Sequence, residues 1–93
     1  MRIISNKTLR DFAELHPQAA DALQNWRKKL ESSSPRSFAE LKQIFNSVDK
    51  VGNYYVFNIA GNRYRLIAAI HFNTQTVYIR SVFTHGEYDL WKP

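Results

Sequence analysis

The feature that most constrains this chain is a change of hydrophobic period near Asn53. Before it, apolar residues recur every three or four positions, which is the spacing of a helix with one buried stripe. After it they alternate, and aromatic and β-branched residues dominate, as in half-buried strands. Helices first and strands afterwards is the order of an α+β domain.

Met1 to Ile4 is a candidate short strand, and Lys7 to Leu15 carries Leu9, Phe12 and Ala13 at helical spacing. Pro17 suits the first turn of a second helix, whose Ala19, Ala20, Leu23, Trp26 and Leu30 form its inner stripe. Arg27, Lys28 and Lys29 then lie on a solvated outer face. Ser32-Ser33-Ser34-Pro35 breaks the pattern, and Ser37-Phe38-Ala39-Glu40 has the form of a capping box opening a third short helix to about Phe45. Three alternating runs follow, Tyr54–Ala60, Arg63–Phe72 and Thr76–Phe83. Gly61-Asn62 between the first two predicts a two-residue type II′ hairpin, and Asn73 to Gln75 marks the second turn. The expected architecture is one compact domain over residues 1–93, with an N-terminal short strand and two to three helices packed on one face of an antiparallel β-meander.

Register decides what each strand face carries. With Gly61-Asn62 as the turn, Asn58 lies opposite Arg65, and Tyr54 and Val56 share their face. If Asn73-Thr74 is also a two-residue turn, Arg80 joins Arg63 and Arg65. One face then collects Tyr55, Phe57, Ile59, Tyr64, Leu66, Ala68, Ile70, Phe72, Val77, Ile79 and Phe83, and the helices can cover it. The other carries Tyr54, Asn58, Arg63, Arg65, His71, Tyr78, Arg80 and Thr84, interrupted by Val56, Ile67, Ala69 and Val82. An odd second turn would drive Arg80 into the core, where an unpaired charge is very costly. A structure with Arg80 against Leu66 would refute this register.

The cationic face agrees with the overall charge of +5, from thirteen Lys and Arg against eight Asp and Glu, which favours acidic partners and chiefly nucleic acid. No cysteine is present, so thiolate metal sites and a disulfide framework are excluded, and a reducing cytoplasm is the simplest home. Three scattered histidines show no ligand spacing, so neither a metal nor another cofactor is expected. No apolar stretch approaches bilayer length and the N-terminus lacks a signal-peptide pattern, so a soluble protein without a membrane partner is expected.

Ser32 to Ser34 lack the strand-to-helix elbow of a nucleophilic serine, and no glycine-rich phosphate loop or paired carboxylates occur. Metal-free RNA cleavage asks for less. The ribose 2′-OH is itself the nucleophile, so the protein supplies proton transfer, positive charge and a splayed geometry. Arg63, Arg65 and Arg80 offer permanent charge, and His85 and Tyr88 in Thr84-His85-Gly86-Glu87-Tyr88-Asp89 offer a titratable ring and a phenol.

At these residues the chain resembles a known family. Tyr55-Val56-Phe57-Asn58, then Gly61-Asn62-Arg63-Tyr64-Arg65-Leu66-Ile67, then Val82-Phe83-Thr84-His85-Gly86-Glu87-Tyr88-Asp89 are similar to the HigB family of bacterial toxins. The resemblance implies a RelE-like fold and the toxin of a type II toxin-antitoxin system. It further implies a ribosome-dependent messenger RNA endonuclease activity and a cognate HigA-like antitoxin as partner. By the same resemblance Arg65 holds the scissile phosphate, His85 stands where relatives have an arginine placed for acid work, and Tyr88 stacks on a base or aids proton transfer. Lys50 is the one candidate for the basic residues that relatives carry before the second strand, a departure from the lysine-rich RelE pattern that leaves the general base open.

The residues themselves rank as follows. Arg65, with Asn58 across the hairpin, is a phosphate ligand or a solvated strand residue, and Arg63 adds field or a surface ion pair. Arg80 binds RNA or pairs with Glu87 or Asp89. Tyr54 and Tyr78 stack on bases or cover aliphatic neighbours, and Trp91 anchors the tail or meets a partner. His16 and His71 fall outside the site. The same charge and stacking would serve a non-catalytic RNA- or ribosome-binding module, or a basic face that docks an acidic protein.

Overall fold

Each apolar stripe in the first half becomes one buried helix face in the structure, a computed structural model that describes residues 1–93. Strand β1 (Arg2–Ile4) leads into α1 (Asn6–Leu15), which buries Leu9 and Phe12. Pro17–Ala19 forms a 3-10 turn that runs into α2 (Ala20–Glu31), so proline's fixed φ opens this segment in the tighter helical geometry. Leu23, Trp26 and Leu30 of α2 are buried, and each such side chain contributes about 1.5–3 kcal/mol by leaving water. Helix α3 (Phe38–Ile44) starts at Ser37, whose hydroxyl accepts the Glu40 N–H at 3.2 Å. The Glu40 carboxylate accepts from the Arg36 N–H at 3.2 Å instead of from Ser37 itself.

Strands β2 (Asp49–Val51), β3 (Tyr54–Ile59), β4 (Tyr64–His71) and β5 (Thr76–Thr84) join β1 in one sheet of order β1-β5-β4-β3-β2. The β3-β4-β5 meander is antiparallel as expected, and β1 adds to β5 in parallel at one edge. Strand β2, at the other edge, was not legible: its three residues are too few to show a period, and backbone pairing to β3 is what makes it a strand.

In the β3–β4 hairpin Asn58 lies opposite Arg65 and the ladder ends at Ile59 and Tyr64, as the alternation requires. The turn is less simple than a two-residue type II′ loop. Gly61 takes the expected positive φ of 70°, but Ala60 also adopts 53°, a left-handed conformation that costs an alanine about 1–2 kcal/mol.

Between β4 and β5 the even register holds from His71–Thr76 to Ala68–Ile79 and then slips by one residue. Beyond the slip Ile67 faces Ser81, Leu66 faces Val82 and Arg65 faces Phe83, with Arg80 as the extra residue of a bulge. Arg80 stays exposed, away from Leu66, as the register argument demanded. Past the bulge the expected faces exchange: Val82 enters the core at 9% exposure, and Phe83 turns to the side of Arg65. The bulge resolves a conflict in the sequence, since strict alternation from Ile79 would have put the hydroxyl of Ser81 inward and left Val82 outside.

One cluster fills the space between the helices and the sheet, including Leu9, Leu23, Trp26, Leu41, Phe57, Leu66 and Val77. Val56 and Ile67, at 3% and 1% exposure, are buried outside that cluster. They belong to the opposite sheet face, so something covers that face too. The cover comes from a fourth helix, α4 (His85–Asp89), and the tail behind it, neither of which was expected. No helix is long and apolar enough to cross a membrane.

Candidate functional site

Helix α4 exists because Thr84 and Glu87 cap it reciprocally. The Glu87 N–H donates to the Thr84 hydroxyl at 3.3 Å, and the Thr84 N–H donates to the Glu87 carboxylate at 2.8 Å. That backbone bond, followed by the bond with the Thr84 hydroxyl, holds the Glu87 carboxyl below its ordinary value of 4.5. The His85 N–H donates to the Arg63 carbonyl at 3.1 Å, which ties the helix start to the start of β4. Thr84-x-x-Glu87 is the same signature that predicted the α3 cap, so this helix was readable in principle. Five residues are too few to display a helical stripe beside that signature.

Arg65 sits beside this helix with part of its guanidinium already committed. Its Nη1 donates to the carbonyls of Asn62 and Tyr64 at 3.0 and 3.2 Å, and its plane lies over the Tyr88 ring at 5.6 Å. No hydrogen bond engages Nε or Nη2, and no carboxylate pairs with Arg65. The edge that binds a phosphate bidentately is therefore free while the rest of the group is fixed. Anchoring before the ligand arrives reduces the ordering cost of binding.

Tyr88 is in turn held by Trp91, whose indole stacks on it at 5.7 Å and 24° and meets Tyr54 edge-on at 5.9 Å. The Trp91 N–H donates to the Tyr88 carbonyl at 2.9 Å, so the tail continues the helical turn. An unbroken run, Arg65–Tyr88–Trp91–Tyr54, thus crosses the outer face above β4 and β3. Trp91, whose place in the tail suits an anchor or a partner contact, is an anchor and sets both tyrosines.

His85 lies at the N-terminus of α4 with Nδ1 3.6 Å from Asp89 Oδ2, and both side chains are more than half exposed, at 56% and 64%. Such a pair orients more than it stabilises. With Nδ1 turned to Asp89, Nε2 is the nitrogen open to a ligand. Arg63 is exposed in the turn and its side chain is unpaired. Asn58 stands opposite Arg65, but its amide donates to Asn62 at 3.3 Å and so braces the hairpin turn.

Arg65, Tyr88, His85, Arg63 and Asn58 are thereby gathered at one end of the outer face. Lys50 and Arg80 are not among them. Lys50 pairs with Tyr55 at the β2 edge, and its ammonium lies 6.0 Å from the Tyr55 ring. Arg80 covers Tyr78 at 5.8 Å and pairs with neither Glu87, which caps α4, nor Asp89, which faces His85. Both cations line a cavity near the other end of β4, together with Tyr54 and His71. His71, which fell outside the predicted site, thus lies within a second cluster on the same face.

Known proteins share this sequence over nearly its whole length. The model of the HigB toxin family, described as the RelE-like toxic component of a toxin-antitoxin system, matches residues 19–91. The mRNA interferase toxin HigB of Escherichia coli strain K12 is 40% identical over 97 aligned positions, which cover 98% of this chain and 90% of that protein. The mRNA interferase HigB of Shigella flexneri matches to the same extent, and that of Escherichia coli O6:H1 strain CFT073 is 27% identical over 96% of this chain and 89% of its own. With its fold, its capped C-terminal helix and these matches, the chain belongs to the HigB family of RelE-like toxins.

Proposed function

We propose that this chain is an mRNA interferase that cleaves messenger RNA on the translating ribosome, in the cytoplasm, and that a HigA-like antitoxin holds it in check. The observation that carries the reading is Arg65, with its phosphate-binding edge free, its other edge pinned to the turn, and Tyr88 stacked on it next to the His85 helix. The names of the relatives as mRNA interferases support the same substrate.

In this reading the 2′-OH of the nucleotide before the cut attacks phosphorus and gives up its proton. The bond from phosphorus to the 5′-oxygen breaks and that oxygen gains a proton. Products are a 2′,3′-cyclic phosphate and a 5′-hydroxyl, with no water consumed. Arg65 binds the phosphate oxygens and stabilises the charge that grows on them, and Arg63 adds field from the turn. Nε2 of His85 is the position for proton transfer, since Asp89 steadies the other nitrogen. Tyr88, held between Arg65 and Trp91, offers its hydroxyl for proton transfer beside the phosphate, and the ribosome supplies the splayed geometry of the substrate. Neither metal nor cofactor takes part.

Purified His85→Gln tests the reading in a translation extract, with transcript ends mapped. Cleavage should fall by about 10²–10⁴-fold, the usual contribution of a proton-transfer group, while ribosome association is retained. Unchanged translation arrest would instead favour a non-catalytic binder, and 5′-phosphate ends would refute the 2′-OH mechanism.

A further inference from the structure

The second cluster on the outer face has the construction of a ligand site. Lys50, Asn53, Tyr54, Ala69, His71 and Arg80 line an open cavity of about 420 Å³, within the size range of small-molecule sites. Ala69 makes the space. It lies opposite Tyr78 of β5, and in a row of bulky neighbours its single methyl leaves room above the sheet. Tyr54 forms a wall and is held there by Trp91. Tyr78 braces the far side, with the His71 ring edge-on to it at 5.5 Å and 87° and the Arg80 guanidinium over it at 5.8 Å.

Lys50 reaches the rim from the β2 edge, where its ammonium lies against the Tyr55 ring, so the charge on this face is that of Arg80. No ion pair in the structure involves Arg80, and its side chain donates no hydrogen bond to another residue. Arg80 occupies the bulge of β5, so its position is set by backbone geometry and its charge faces solvent beside an aromatic slot. An aromatic wall, an amide at the rim and an unpaired guanidinium together suit a nucleotide, with the base against Tyr54 and the phosphate on Arg80.

We propose that this cavity is a second nucleotide subsite for single-stranded RNA, in which Tyr54 and Ala69 seat a base while Arg80 holds its phosphate. The proposal rests on the interferase reading and adds where the substrate is gripped away from the cut. Four residues of β4 separate Arg65 from Ala69, or about 13 Å at roughly 3.3 Å per strand residue. One phosphate cannot touch both. A strand that reaches both spans several nucleotides and passes the Tyr88–Trp91 stack between them. The subsite thus fixes register along the messenger without entering the chemical step.

The test is cleavage of a defined messenger on programmed ribosomes, read as the toxin concentration for half-maximal rate. Arg80→Ala removes the charge from an exposed position, and Ala69→Leu fills the slot from its floor. Each should raise the half-maximal concentration about tenfold with a much smaller change in maximal rate, the pattern of lost ground-state binding. Arg80→Ala should also flatten the dependence of log affinity on log salt by about 0.7, as for one lost single-strand phosphate contact. Half-maximal concentrations within twofold of the parent for both variants, with Ala69→Leu folded by circular dichroism, would overturn the subsite. So would an effect of Arg80→Ala without one of Ala69→Leu, which would assign Arg80 to ribosomal RNA or protein outside the cavity. Arg65→Ala separates the two readings: if it abolishes cleavage while the cavity variants do nothing, the subsite alone fails. If the parent chain cleaves nothing, the interferase reading fails and takes the subsite with it.

Discussion

Trp91 offers the sharpest test of how the outer face is built. Its indole stacks on Tyr88 and meets Tyr54 edge-on, and the tail that carries it covers a sheet face where Val56 and Ile67 are almost fully buried. Truncation to alanine removes two aromatic contacts, each contributing about 0.5–1.5 kcal/mol beyond area burial, so the expected destabilisation is about 2 kcal/mol. For a domain of this length that corresponds to a fall in Tm of roughly 8–16 °C. Urea unfolding followed by far-ultraviolet circular dichroism measures it, and Trp91→Phe should recover most of the loss. A double-mutant cycle with Tyr88→Ala isolates the stack, whose coupling should be about 0.5–1.5 kcal/mol. A loss below about 0.5 kcal/mol, or strict additivity with Tyr88→Ala, would mean that the tail does not pack and would remove the physical basis for a pre-set Tyr88.

Glu87 predicts an acid-sensitive tail. Its carboxyl is held below the ordinary value by the Thr84 backbone N–H and then by the Thr84 hydroxyl, so its contribution is complete above the unfolded value and is lost as pH falls through the folded one. Hydrogen exchange at the Leu90 and Trp91 amides should therefore accelerate, relative to the intrinsic rate, as pH falls below the ordinary carboxylate range in the parent chain and stay flat in Glu87→Gln. The same acid dependence in both proteins would show that another group controls the helix. Ala60→Gly should stabilise the fold by roughly 0.5–1 kcal/mol, because relief of the left-handed alanine exceeds glycine's extra entropy in the unfolded chain. A lower urea midpoint for that variant would show that the alanine methyl makes a contact outweighing its strain.

Much of the fold was legible because it rests on repetition. Leu23, Trp26 and Leu30 recur at helical spacing, and Tyr55, Phe57 and Ile59 alternate, so burial of one face follows from the spacing alone. Asn58 opposite Arg65 followed from the parity of the first hairpin loop. Local signals too short to repeat were lost. Strand β2 has three residues and α4 five, and each is held by what it pairs with or by its cap. The candidate site divided along the same line. Arg65 and Asn58 were placed by the parity of the first hairpin, whereas Arg80 was joined to them by the parity of the second and Lys50 by the family resemblance, and both line a cavity away from Arg65.

The sequence by itself determined the α+β order, the helical and strand faces, the cationic outer surface and the family, since these depend on residue type and on spacing between near neighbours. Tertiary structure decided three things that no local pattern contains. Competition between Arg80, Ser81 and Val82 for two sheet faces was resolved by a bulge, which sent Val82 inward and Phe83 outward. The tail folded back onto the sheet face that carries Val56 and Ile67, and this placed Trp91 between Tyr88 and Tyr54. Arg65 was fixed by carbonyls of a turn whose conformation depends on the strands it joins. Each is a long-range compromise between burying apolar surface and keeping charge in water, and it is settled only when the strands meet.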